Sequence, residues 1–189
     1  MIALIKSNLS GRKVLLLFLL TNVVYATMLL YTIPKLETFS GGMKILDMLP
    51  GTYDLAYVRS LFNALGEPGR HFYLTRQLPL DLFYPGLFGI SYSLLFGYFL
   101  KKLGKLNSRY FYLAFLPLAA GLFDYLENAG IAVMLKSYPD LPPFWVTLTS
   151  IFSLLKSSLS SVFFIALLLA ILVFAGRLVF KKSAPTKAA

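Results

Sequence analysis

Residues Tyr110 to Leu135 read YFYLAFLPLAAGLFDYLENAGIAVML, an apolar run interrupted only by Asp124, Glu127 and Asn128. A run of this length reads as a helix able to cross a hydrocarbon core, which takes roughly 20 residues. Two carboxyl groups and an amide in such a helix are costly in lipid, so they must face the inside of a bundle or water. This stretch therefore predicts both the fold class and the place to look for function.

The rest of the chain agrees. Its 189 residues are 58% hydrophobic, with 17 Phe and 12 Tyr, and its mean hydropathy of +0.72 is too high for an ordinary soluble domain. Three more runs are long enough to span: Val14 to Ile33, Leu82 to Leu100, and a stretch within Phe144 to Phe180. Tyr25-Ala26-Thr27-Met28 makes a poor signal-peptide cleavage site, so the first run is expected to persist as a span. We expect an all-α integral membrane protein, one domain over residues 1–189, with four transmembrane helices.

Charge placement sets the expected orientation. Lys6, Arg12 and Lys13 precede the first span, Lys101, Lys102, Lys105 and Arg109 fill the short second connection, and Arg177, Lys181, Lys182 and Lys187 follow the last. Those segments contain no Asp or Glu. The positive-inside rule then puts both termini in the cytoplasm, in a plasma (inner) membrane. The net charge of +10 is accounted for by these flanks, so nucleic acid is not an expected partner. With no Cys and one His, thiolate chemistry and a multi-His metal centre are excluded within one chain.

The connection from Pro34 to Pro79 is expected to lie outside the cytoplasm as a helical lid. Met43 to Leu49 can form a short interfacial helix. Thr52 is the expected N-cap of a helix to Leu65 with an apolar stripe of Leu55, Val58, Phe62 and Leu65, stopped by Gly66 and restarted at Glu67-Pro68. In the second span Gly89, Ser93 and Gly97 form a small-xxx-small seam, expected to pack helices and offering a route to a homo-oligomer. Pro85 and Pro117 are expected to kink their helices.

On a helix, Pro117, Ala120, Gly121, Asp124, Glu127 and Asn128 share an arc of about 120°, with the smallest residues beside the polar ones. That face should point into the bundle. Asp124 lies about 22 Å along the helix from Arg109, in the outer half of the membrane. Asp81, Tyr84 and Tyr92 on the second span, and Thr149, Ser153, Lys156 and Ser160 on the fourth, fall at a similar level. Asp124, Glu127 and Asp81 are the candidate catalytic residues. Asn128, Tyr84, Tyr92, Lys156, Arg70 and His71 are the candidate substrate contacts, Arg70 or Lys156 holding an anionic headgroup. Lys156 is as readily read as snorkelling to headgroups, and Asp81 as ending its span in water.

The expected function is a pocket that binds a membrane lipid or other apolar small molecule, or acts on it by acid/base catalysis as an isomerase or hydrolase. A proton- or cation-coupled transport component and a non-catalytic assembly subunit are the alternatives. No motif identifies a cofactor. A divalent-metal version using Asp81, Asp124, Glu127 and His71 has no diagnostic spacing, and no metal site is assigned.

Overall fold

In the computed structural model, residues 2–182 are described; Lys187, one of the basic residues flanking the last span, lies outside them. These residues are 84% helical, without strands, and four helical stretches are long and apolar enough to cross a membrane. A short helix α1 (Ile2–Ser7) precedes α2 (Gly11–Phe39), and α3 (Leu55–Phe72) leads through a π turn (Tyr73–Gln77) and one α-helical turn (Leu78–Asp81) into α4 (Tyr84–Lys102). A 3₁₀ stretch, Arg109–Phe115, opens α5 (Leu116–Ser137), and α6 (Pro143–Lys182) completes the chain. At 40 residues, α6 is about 60 Å long.

Neighbouring helices pack in sequence: α2 on α4, α4 on α5, and α5 on α6, while α2 and α6 scarcely touch. Glycines set the closest approaches. A Cβ on Gly130 of α5 would sit 1.9 Å from Thr149 Oγ1 of α6, and one on Gly121 would sit 2.6 Å from the Pro85 carbonyl oxygen of α4. Small residues here let backbones meet, as membrane-type packing favours. Gly89 packs against Leu118, Gly97 against Ile5 and Leu9, and Ser93 Oγ donates to the Ala114 carbonyl at 2.6 Å. The Gly89/Ser93/Gly97 seam is thus filled by the chain's own helices.

One end of the bundle gathers the basic flanks. Lys6 Nζ donates to Asn107 Oδ1 at 2.8 Å, and Arg177 donates to the Leu103 carbonyl at 2.8 Å, tying α1, the α4–α5 connection and the end of α6 together. Above that end lies an apolar core that includes Ile5, Leu9, Phe96, Phe111, Phe163 and Leu167. A second core, with Leu36, Leu46, Val58, Phe62, Ile131 and Met134, fills the opposite end under α3.

Several expectations need correction. The N-cap of α3 is Asp54, whose carboxylate accepts from Tyr57 N at 2.8 Å, and not Thr52; a carboxylate three residues before the amide serves the same purpose. The stripe of Val58, Phe62 and Leu65 is buried, and Gly66 does break the helix (φ +61°), as its freedom at positive φ allows. Between residues 43 and 49 only Leu46–Met48 forms a 3₁₀ turn. Pro85 and Pro117 sit in the first turns of α4 and α5, where a missing N–H costs nothing, so neither kinks a helix interior.

Two other prolines matter more. Pro34 follows a π turn, Met28–Thr32, and Pro79 follows another, Tyr73–Gln77. The wider turn absorbs the clash a proline ring makes with the carbonyl four residues before it, so the chain bulges without breaking. The two bulges face each other, with Thr32 Oγ1 donating to Gln77 Oε1.

Candidate functional site

The polar face of α5 points inward. Pro117, Ala120, Gly121, Asp124, Glu127 and Asn128 are all buried, as their shared arc predicts. Opposite them on α6, the i, i+4, i+7 spacing of Thr149, Ser153 and Lys156 lays three polar side chains along one face. Ser153 Oγ donates to Glu127 Oε1. Lys156 Nζ forms ion pairs with Glu127 and, at 3.3 Å, with Asp124 Oδ1. The snorkelling reading of Lys156 is therefore overturned. The α5–α6 approach at Gly130 brings both carboxylates within reach of the one ammonium.

Asp81 does not end its segment in water either. It is only 2% exposed, and the Asn128 amide lies beside its carboxyl. Asn128 is itself only 3% exposed, its amide directed at that carboxyl.

Asp47, which no spacing or periodicity singles out, also joins the cluster. Tyr73 Oη donates to Asp47 Oδ1, Gln77 Nε2 donates to Oδ2 at 3.1 Å, and Lys156 Nζ reaches the Asp47 carbonyl at 3.5 Å. The π bulges thus carry a hydrogen-bonded chain from Thr32 through Gln77 to Asp47. Next to it, Tyr53 N donates to Ser150 Oγ at 2.8 Å, and burial pushes the Tyr53 phenol well above the usual tyrosine range.

These groups surround a cavity of about 200 Å³. Asp47, Asp81, Asp124 and Lys156 form its polar wall, with Ser157 and Ser160 beside them. Tyr25, Tyr84, Phe88 and Phe164 form its aromatic wall, Tyr25 and Tyr84 stacked at 5.1 Å between ring centroids. Glu127 and Asn128 lie in the layer behind the polar wall. Tyr92 is one turn deeper, packed among Phe18, Phe88, Phe163 and Phe164, and does not line the cavity.

Arg70 and His71 are not brought to this cavity. Arg70 Nη1 donates to the Phe62 carbonyl at 2.7 Å, and its guanidinium lies 4.2 Å from the centre of the Tyr138 ring. His71 is exposed, and both residues line a separate depression with Glu67 and Leu135. The break at Gly66 explains this: it frees the Phe62 carbonyl, and Arg70 folds back to cap it. The ligand set Asp81, Asp124, Glu127 and His71 is consequently not assembled, and among the described residues no group of three or more His, Asp or Glu is arranged around a metal position.

No protein family, curated relative or solved structure matches this chain, so its chemistry is read from the site itself.

Proposed function

We propose that the chain is an integral membrane protein, both termini cytoplasmic, whose cavity binds a lipid or other apolar small molecule and can act on it by acid/base chemistry. The clustering of basic flanks at one end of the bundle supports that orientation. On it, the cavity lies toward the non-cytoplasmic face, bordered there by the turn carrying Asp47 and Met48. The observation that carries the functional reading is the meeting of Asp47, Asp81, Asp124 and Lys156 at one cavity with aromatic walls. Packing alone does not call for ionisable groups around an unfilled space, where each is costly.

Roles follow from position. Asp81 and Asp124 face the cavity and are placed to exchange a proton with a bound molecule, while Lys156 holds the Asp124 carboxylate in place. Glu127, held by Ser153 and Lys156 and off the cavity surface, positions Lys156. Transport has less support. The half of the bundle toward the basic end is an apolar core, and its buried Thr21 and Ser93 hydroxyls are satisfied by backbone carbonyls.

The test is to purify the full chain in its native membrane lipids and identify retained molecules by mass spectrometry. Ser160→Phe, on the cavity wall, should fill the space while leaving the bundle folded. We expect the wild type to retain a specific amphiphile that Ser160→Phe loses. Identical retained molecules in both proteins would end this reading.

A further inference from the structure

The cavity's charge is one-sided. Among the described residues lining it, Lys156 is the only cation, against the carboxyl groups of Asp47, Asp81 and Asp124, with Glu127 just behind. Lys156 is already engaged by Asp124, Glu127 and the Asp47 carbonyl. Arg70, the other residue suited to an anionic headgroup, caps Phe62 elsewhere. An anionic head would meet three carboxyl groups and no free cation, so the site repels it.

What the walls offer instead suits a cation. Asp81 lines the cavity without an ion-pair partner of its own, and Tyr25, Tyr84 and Phe88 line the same cavity. Carboxylate plus aromatic faces is the combination that holds an ammonium group, through a charge-assisted hydrogen bond and cation–π attraction. The Asn128 amide, almost fully buried on the same helix face as Asp124, lies against the Asp81 carboxyl from behind the wall.

Size and access narrow the ligand further. At about 200 Å³ the cavity is smaller than the roughly 300–1,000 Å³ of pockets that enclose a drug-sized molecule. It holds a head and the start of a chain. The helices flanking it, α2 and α6, scarcely touch each other, and Phe164 lines the cavity while remaining 44% exposed. The remainder of an apolar chain can lie outward between those helices, across Phe164.

We infer that the ligand is an amphiphilic amine, its protonated head held by Asp81 against Tyr25 and Tyr84 and its tail leaving the bundle between α2 and α6. The inference rests on the cavity being a ligand site, as proposed above. It deepens that reading by naming the head-group class and the route.

The experiment uses the full chain in nanodiscs of uncharged phosphatidylcholine, with dodecylamine and dodecanoate as probes of equal chain length. Thermal unfolding is followed at increasing probe concentration, because a ligand that binds only the folded state raises Tm saturably. Wild type, Asp81→Asn and Ser160→Phe are compared. Dodecylamine should bind wild type at least about tenfold more tightly than dodecanoate, and each substitution should weaken it about tenfold or more. Dodecanoate binding as tightly as the amine, blocked by Ser160→Phe, would overturn the head-group class and leave the cavity reading intact. No saturable binding of either probe to folded wild type would overturn both. Amine binding undiminished in both variants would place the amine elsewhere and overturn the inference. Because Asp81→Asn changes no volume, it remains informative if Ser160→Phe does not fold.

Discussion

The two halves of this bundle are built from the same helices but solve different problems. Toward the basic end, Ile5, Leu9, Phe96, Phe111, Phe163 and Leu167 interlock around small residues, and Ser93 donates to the Ala114 carbonyl. Toward the other end, the helical turn Leu78–Asp81 before α4, together with α5 and α6, turns Asp81, Asp124, Glu127, Asn128 and Lys156 inward around a cavity. The first half can be held by packing alone. The second spends stability on buried charge, which a chain retains where charge is used. On the function proposed above, fold and function separate by depth along the helices.

The sharpest way to break the comparison is Lys156→Met. It keeps the volume of the side chain and strands Asp124 and Glu127 without their cation, a change that costs about 3–5 kcal/mol in buried pairs. Unfolding in mild detergent should begin well below the wild-type temperature. Adding Asp124→Asn and Glu127→Gln should recover most of the loss. If Lys156→Met alone unfolds with the wild type, the ion-pair account of this half is wrong.

The other half should respond to shape. Phe163→Ala leaves a void among Phe96, Tyr92 and Phe164. Because lipid tails are as apolar as the core, the cavity contribution dominates, and we expect about 2–3 kcal/mol in the same unfolding assay. Phe163→Leu should recover part of it. A polar substitution such as Ser93→Ala, whose hydroxyl has only the Ala114 carbonyl to lose, should cost less than about 1.5 kcal/mol.

How much of this was legible follows from which rules stay local. The inward face of α5 was readable because one uninterrupted helix carries Ala120, Gly121, Asp124, Glu127 and Asn128, and helical period alone fixes their common direction. Asp81 and Lys156 could be brought level with it by counting rise. Asp47 could not, because it sits on a three-residue turn whose position depends on Tyr73 and Gln77, 26 and 30 residues away. Gln77 and Thr32 were hidden for another reason. Each ends a π turn, which adds a residue to the helical cycle and shifts every later side chain off its expected face. Arg70 and His71 were misplaced although the break at Gly66 was legible. The direction in which the chain restarts, with Arg70 turned back on the Phe62 carbonyl, is set by the backbone angles there and not by helical period.

Gly130→Ala probes how α5 and α6 are held together in the polar half, at smaller expected cost. The added methyl would overlap Thr149 Oγ1, so α5 and α6 must separate, at about 1–3 kcal/mol. Gly176→Ala, further along α6 with open space around it, is the matched control and should change stability by less than about 0.5 kcal/mol. If the two variants unfold together, the close approach at Gly130 does not hold Lys156 against its carboxylates.

Asp81→Asn should have the smallest effect on stability and is therefore the most telling. Asp81 has no ion-pair partner, and its carboxyl stands near those of Asp124 and Asp47. Replacing it by an amide of the same shape removes like-charge crowding and keeps a polar group beside Asn128. We expect unfolding to shift by no more than about 0.5 kcal/mol, in either direction. A residue that contributes nothing to folding yet is buried at the cavity wall has its cost offset only by a ligand. Loss of ligand retention without loss of stability would separate Asp81 from Lys156, whose removal is expected to damage both. A large destabilisation on Asp81→Asn would instead make this carboxyl part of the scaffold and erase the distinction between the two halves at that position.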